Sequence, residues 1–121
     1  MDGDDFWFPG KLQAQVDYLL KNMTCSAVYT NALVVDVAGG QLGNFCDCPR
    51  DSFDMNYFVS GANFLPNSSF MYRAEHRGRL FHAPREILVD YEVHLMILQC
   101  GSAGSSASRS WSNRLRKRFA F

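Results

Sequence analysis

Two cysteines one residue apart, Cys46 and Cys48, are the residues whose types and spacing most directly suggest chemistry. A pair of thiolates is able to supply two ligands to a metal, but a closed zinc site requires four ligands at recognisable spacings. The other two cysteines, Cys25 and Cys100, match no such spacing. On a strand, Cys46 and Cys48 would share one face and pack as small apolar groups. The sequence therefore predicts no metal and no cofactor, and it leaves open whether the four cysteines are free, disulfide-bonded or metal-bound.

His94 with Asp90 and Glu92 is a second candidate, because residues 87–100 alternate in the manner of a long strand. Alternate residues of a strand share a face, so an imidazole and two carboxylates would lie together and could transfer protons. A solvated sheet face has the same composition, and no Gly-x-Ser-x-Gly, His-Glu-x-x-His or Walker motif accompanies it. The glycine-containing segment 38–43 lacks the spacing of a dinucleotide-binding loop and predicts a hairpin turn instead. We therefore predict that the protein is not an enzyme and has no catalytic residues.

Arginines and aromatic residues are interleaved in segment 70–82, whose composition predicts a β-hairpin. Aromatic rings beside arginines on a sheet are able to stack on bases and to bind the phosphates of single-stranded nucleic acid. The residues that would do so are Phe70, Tyr72, Arg73, Arg77, Arg79 and Phe81. A solvated hairpin with its own salt bridges is the simpler interpretation, and a pI of about 6.8 is low for a dedicated nucleic-acid-binding protein.

The charges are segregated along the chain, although the formal net charge is zero. Residues 1–108 hold all twelve acidic residues and seven basic ones, whereas residues 109–121 hold five basic residues and no acid. Aromatic residues accompany the basic tail and also come directly before Pro9-Gly10, which breaks the chain near its start. Exposed aromatic residues and arginines are typical interface anchors. The predicted partner-binding residues are Phe6, Trp7, Phe8, Trp111, Arg114, Leu115, Arg116, Lys117, Arg118, Phe119 and Phe121.

The elements that must position these residues follow from hydrophobic periodicity. Segment 11–22 predicts an amphipathic helix, although Leu12, Ala14, Val16 and Tyr18 also fit strand alternation. Strands are predicted within 26–37, 42–48 and 55–64, then in the 70–82 hairpin and over 87–100. The predicted fold class is α+β, with an N-terminal helix packed on a curved antiparallel sheet of about five strands. A small OB-like β-barrel is the alternative if segment 11–22 is a strand.

The domain organisation follows from composition. We predict a single globular domain over 1–100, a Gly/Ser linker over 101–108 and a basic aromatic tail over 109–121. No run of about 18 apolar residues predicts a transmembrane helix. The acidic first residues resemble neither a secretory signal nor a mitochondrial presequence, which predicts an intracellular protein and leaves its compartment open.

These features together predict a non-catalytic accessory or structural subunit of a larger protein assembly, anchored through its aromatic and basic termini. A single-stranded nucleic-acid-binding module that uses the Arg/aromatic hairpin and the tail is the alternative. The expected partners are other protein subunits, with nucleic acid or an acidic surface as a further ligand of the tail.

Overall fold

A computed structural model describes residues 7–36, 38–45, 50–61, 65–81, 89–105 and 113–116. The described helices are α1 (Lys11–Lys21), α2 (Met55–Ser60), α3 (Arg77–Phe81) and α4 (Asp90–Leu98). The described strands are β1 (Cys25–Tyr29), β2 (Ala32–Val35), β3 (Gln41–Asn44), β4 (Ser52–Phe53), β5 (Met71–Tyr72), β6 (Ser102–Ser105) and β7 (Asn113–Arg116). The two short segments Asn67–Ser69 and Ala74–His76 form 3₁₀ turns.

Four strands form the main sheet in the order β4-β6-β1-β5. Strand β1 pairs with β6 in parallel and with β5 in antiparallel orientation, so the sheet is mixed. The α+β class and the N-terminal helix are confirmed. The barrel alternative is wrong, because this sheet is not closed. Three further strands form a second sheet in the order β3-β2-β7. Strand β2 follows β1 in the chain after Thr30 and Asn31.

The predicted β2–β3 hairpin is confirmed by antiparallel pairing of the two strands. The carboxylate of Asp36 accepts hydrogen bonds from the backbone N–H groups of Ala38, at 2.9 Å, and Gly40, at 2.7 Å. Gly39 has a φ of 87°, a backbone conformation that glycine adopts without the steric cost borne by other residues. The turn is therefore held by one aspartate side chain and one glycine.

Three segments that the sequence predicts as strands are helical in the structure. Residues 90–98 form α4, residues 55–60 form α2, and within the predicted 70–82 hairpin only Met71–Tyr72 is a strand. Helix α4 is apolar around most of its circumference because it packs into the core, so its sequence carries no helical periodicity. Asp54 caps the N-terminus of α2, because its carboxylate accepts a hydrogen bond from the backbone N–H of Tyr57 at 2.9 Å.

The Gly/Ser segment that was predicted as a linker contributes a buried strand to the main sheet. Residues 102–105 form β6 between β4 and β1, with Ala103, Gly104 and Ser105 buried, so the linker prediction is wrong for these residues. Small side chains are required there because a Cβ atom on Gly104 would overlap the ring of Tyr18 on α1. Residues 113–116 of the predicted tail form β7, which pairs in parallel with β2. Residues 106–112 and 117–121 lie outside the described part of the chain.

Strand β1 is buried along its whole length because apolar residues cover both faces of the sheet. Val28 packs with Leu19 of α1 on one face, whereas Ala27 and Tyr29 pack with residues of α2 and α4, including Phe58 and Ile97, on the other. A register shift between Cys25 and Ala27 lets Cys25 join the α1 side. The sheet thus lies between α1 and the α2/α4 pair, which fixes how α1 is oriented.

Candidate interaction surface on helix α1

Helix α1 buries two polar residues together with Leu19 and exposes most of its large apolar residues. Its buried residues include Lys11 and Gln15, whose exposed fractions are 3% and 0%. Leu12 (47% exposed), Val16 (41%), Leu20 (66%) and the following Met23 (72%) face outward. Leu12, Val16 and Leu20 follow one another at intervals of four residues, which places their side chains on one side of the helix, and Met23 lies in the turn after the helix ends at Lys21. We call these four residues the α1 stripe.

The polar face of α1 is buried because it binds the backbone of the 3₁₀ turn at Asn67–Ser69. The amide nitrogen of Gln15 donates to the carbonyl oxygen of Ser69 at 2.7 Å. The ammonium of Lys11 lies 3.5 Å from the carbonyl oxygen of Ser68, which also accepts a hydrogen bond from the indole N–H of Trp7 at 3.2 Å. Burial lowers the pKa of Lys11 to about 8, because the charged ammonium is separated from water.

Aromatic and arginine contacts at the two ends of α1 hold it in this orientation. The ammonium of Lys11 lies 4.1 Å from the centroid of the Trp7 ring, a cation–π contact at the first turn. At the last turn the guanidinium of Arg73 donates to the carbonyl oxygens of Cys25, at 2.8 Å, Asn22, at 3.1 Å, and Leu19. These contacts tie both ends of the helix to the body of the protein, so the α1 stripe is directed outward by the rest of the fold.

The structure does not gather the predicted nucleic-acid-binding residues on one sheet surface. Arg73 binds backbone carbonyls at the end of α1, and Phe70 stacks on Tyr29 at a centroid distance of 5.0 Å in the core. Tyr72 is partly buried on β5 beside Phe70. Arg77 and Arg79 are exposed on α3, and Phe81 ends that helix. The aligned arginine–aromatic face required a hairpin, and the segment forms only a two-residue strand followed by helical turns.

The predicted partner-binding residues at the chain ends are described only in part. Trp7 is 38% exposed and Phe8 is partly buried. Arg114, Leu115 and Arg116 lie on strand β7. The following residues of that prediction lie outside the described residues: Phe6, Trp111, Lys117, Arg118, Phe119 and Phe121.

His94 packs in a cluster of aromatic rings in the core. It does not share a solvated face with Asp90 and Glu92. Its Nδ1 is 2.9 Å from the hydroxyl of Tyr29, and the rings of Phe58 and Phe70 pack on it edge-on. Burial lowers the pKa of His94 to about 4, although Asp90 on the preceding turn opposes this shift. Glu92 instead accepts a hydrogen bond from the backbone N–H of Val89. His94 is therefore a fully buried imidazole packed among aromatic rings, and its Nε2 has no hydrogen-bond partner among the described residues.

The remaining candidate chemistry can be located only within the described ranges. Cys25 and Cys100 are free thiols, and Cys46 and Cys48 lie outside those ranges. Over the same ranges, no group of three or more His, Cys, Asp or Glu side chains is arranged to hold a metal ion. None of the helices described has the length and apolar character needed to cross a bilayer. The α1 stripe is therefore the feature of the described surface that most needs a functional explanation.

Comparison with known proteins does not assign a function to this surface. No protein-family model matches the sequence, and no curated protein is similar to it. Helical periodicity predicts one apolar face that consists of Leu12, Val16, Leu19 and Leu20, but in the structure Leu19 is buried and the other three are exposed. Lys11 and Gln15, which are four residues apart, set the orientation of the helix. Both side chains have backbone carbonyl partners in the turn at Asn67–Ser69.

Proposed function

We propose that this protein is a non-catalytic accessory subunit that binds another protein through the α1 stripe. The observation that carries the proposal is the exposure of Leu12, Val16 and Leu20 along one side of α1, with exposed Met23 in the turn that follows. Contiguous exposed apolar surface favours association, because its removal from water contributes about 25 cal/mol per Å². Helices that expose such a stripe commonly bind the apolar face of another helix or an apolar groove.

The structure around α1 supports a preformed binding surface. The helix is tied to the body through Lys11, Gln15 and Arg73, so its apolar side chains are held in place before a partner arrives. Preorganisation reduces the conformational entropy lost on binding, which raises affinity for a given contact area. The aromatic and basic chain ends are proposed as additional contacts with the same assembly, in keeping with their composition.

Among the residues that the structure describes, no contact favours the nucleic-acid alternative. Its central arginine, Arg73, uses its donors on three backbone carbonyls, and its central aromatic ring, Phe70, is packed against Tyr29. We therefore propose protein binding alone.

The proposal is tested by purifying tagged protein from its native cells with and without a charge in the stripe. Val16→Glu places a carboxylate at the centre of the stripe without changing a buried position. Val59→Glu, on the exposed side of α2, is the matched control because Val59 is 54% exposed and lies outside the stripe. We expect a stoichiometric partner to be lost with Val16→Glu and retained with Val59→Glu. Retention of every partner by Val16→Glu would contradict the proposal.

A further inference from the structure

We propose that the α1 stripe binds the α1 stripe of a second copy of this chain, with the two helices antiparallel about a twofold axis between Val16 and Leu20. This inference rests on the proposed function, because it names the protein that occupies the same surface. It makes the binding unit a symmetric dimer, which presents its remaining surfaces in duplicate.

The order of the residues in the stripe fits a twofold interface. An isologous interface requires each residue to meet the counterpart that symmetry places opposite it. With the axis between Val16 and Leu20, Val16 of one copy meets Leu20 of the second, and Leu12 faces the turn after the helix, which carries Met23. Every contact is then apolar with apolar, in both halves of the interface. The repeated four-residue spacing forms the ridge that packs between the ridges of a like helix, at a crossing angle of about −50°.

The charges beside the stripe complement one another under the same symmetry. Asp17 and Lys21 are both exposed and lie along one edge of the stripe. Within the described part of the chain neither takes part in an ion pair, and Asp17 accepts a hydrogen bond from Gln13 at 2.9 Å. In the antiparallel pair, Lys21 of one copy is offset from Asp17 of the second by about two residues, which is about 3 Å along the helix. A lysine side chain spans that offset.

The sum of these charge interactions is attractive. The four side chains run along the interface in the order lysine, aspartate, aspartate, lysine. Each aspartate has a lysine of the other copy as a neighbour, giving two attractive pairs against one repulsive pair between the aspartates. A single charge reversal at Asp17 or Lys21 would place like charges at all four positions and leave only repulsion. Reversal of both charges would again give two attractive pairs and one repulsive pair.

Sedimentation equilibrium on the full chain at low ionic strength tests the inference. We expect a monomer–dimer equilibrium whose dissociation constant rises at least about tenfold in Val16→Glu and is unchanged in Val59→Glu. Asp17→Lys and Lys21→Asp, as single variants, should each weaken the dimer, and the double variant D17K/K21D should restore it. Unfolding curves for each variant verify that it is folded.

Other outcomes would overturn the inference or would separate it from the proposed function. A wild-type chain that stays monomeric across the concentration series would overturn it, and so would a dimer that Val16→Glu leaves intact. Failure of the double variant to recover would overturn the antiparallel arrangement. A monomeric chain whose cellular partner still depends on Val16 would retain the proposed function while removing the dimer. A dimer with no other cellular partner would retain the dimer while removing the proposed accessory function.

Discussion

Replacement of Gly104 by alanine should strongly destabilise the protein, because α1 packs directly on this residue of β6. The ring of Tyr18 lies where the new methyl group would be, with the ring carbons and the hydroxyl as its nearest neighbours. Tyr18 is also held by a hydrogen bond from its hydroxyl to the carbonyl oxygen of Asp51, at 3.3 Å. The methyl group therefore forces the Tyr18 ring out of this position and breaks that hydrogen bond.

The expected cost is about 3 kcal/mol, the upper part of the range for overpacking a core position. For a chain of this length that corresponds to a fall in melting temperature of about 10 °C. Gly78→Ala is the matched control, because a Cβ atom there has no neighbour within 4 Å and the residue lies in helix α3. In a helix, alanine is favoured over glycine by about 1 kcal/mol, so this variant should be as stable as the wild type or more stable.

Urea and thermal unfolding followed by circular dichroism give the required free energies. A double-mutant cycle then assigns the cost: in a Tyr18→Ala background, Gly104→Ala should lose most of its effect, because the overlapping ring is absent. A Gly104→Ala variant within about 0.5 kcal/mol of the wild type would refute the packing argument. An equal cost in both backgrounds would show that the backbone of β6, rather than Tyr18, sets the requirement for glycine.

Three further predictions concern buried polar groups and the interface. Arg73→Gln should lower the free energy of unfolding by about 2 kcal/mol, because backbone carbonyls of Cys25, Leu19 and Asn22 lose a charged donor; exposed Arg79→Gln should have no measurable effect in the same urea titration. Stability should fall as the pH falls from about 6.5 to about 4, because His94 gains a proton in the unfolded chain before it does so in the core, where Tyr29 and Asp90 are its titratable neighbours. The loss reaches about 3 kcal/mol near pH 4, and a His94→Phe variant measured over the same pH series should lack this part of the dependence. In protein dilute enough to be monomeric, Val16→Glu should reduce binding of the hydrophobic dye ANS to the folded chain, whereas unchanged dye binding would show that the α1 stripe is not the main exposed apolar surface.

The sequence was informative where an element has one polar and one apolar side and misleading where it does not. Helix α1 and the β2–β3 hairpin were predictable, the first from its periodicity and the second from the glycines after β2. Helix α4 was not, since a helix buried among aromatic rings needs apolar residues on most sides and its alternation resembles that of a strand. The Gly/Ser composition of β6 indicates a linker in isolation, and only the position of Tyr18 explains why a buried strand has that composition.

The candidate site shows a related limit. A helical stripe identifies which residues share a face, but its direction depends on partners that are distant in the sequence. Lys11 and Gln15 are buried because carbonyl groups more than fifty residues away accept their hydrogen bonds. Arg73, which the sequence grouped with nucleic-acid-binding residues, takes part in fixing the end of the same helix. Such contacts follow from the assembled fold and have no local sequence signature.

The parallel pairing of β1 with β6 has a consequence for how the chain folds. The thiol of Cys25 and the hydroxyl of Ser102, which lie 3.4 Å apart, are separated by 77 positions in the sequence. Closing so long a loop carries a high entropic cost before any contact compensates for it, and topologies dominated by such pairings fold slowly. During synthesis, β1 therefore emerges long before the strand that completes its hydrogen bonding. Until residues 102–105 are made, the nascent chain must hold an apolar strand with one edge unpaired, a stage at which chaperone binding would protect it from aggregation.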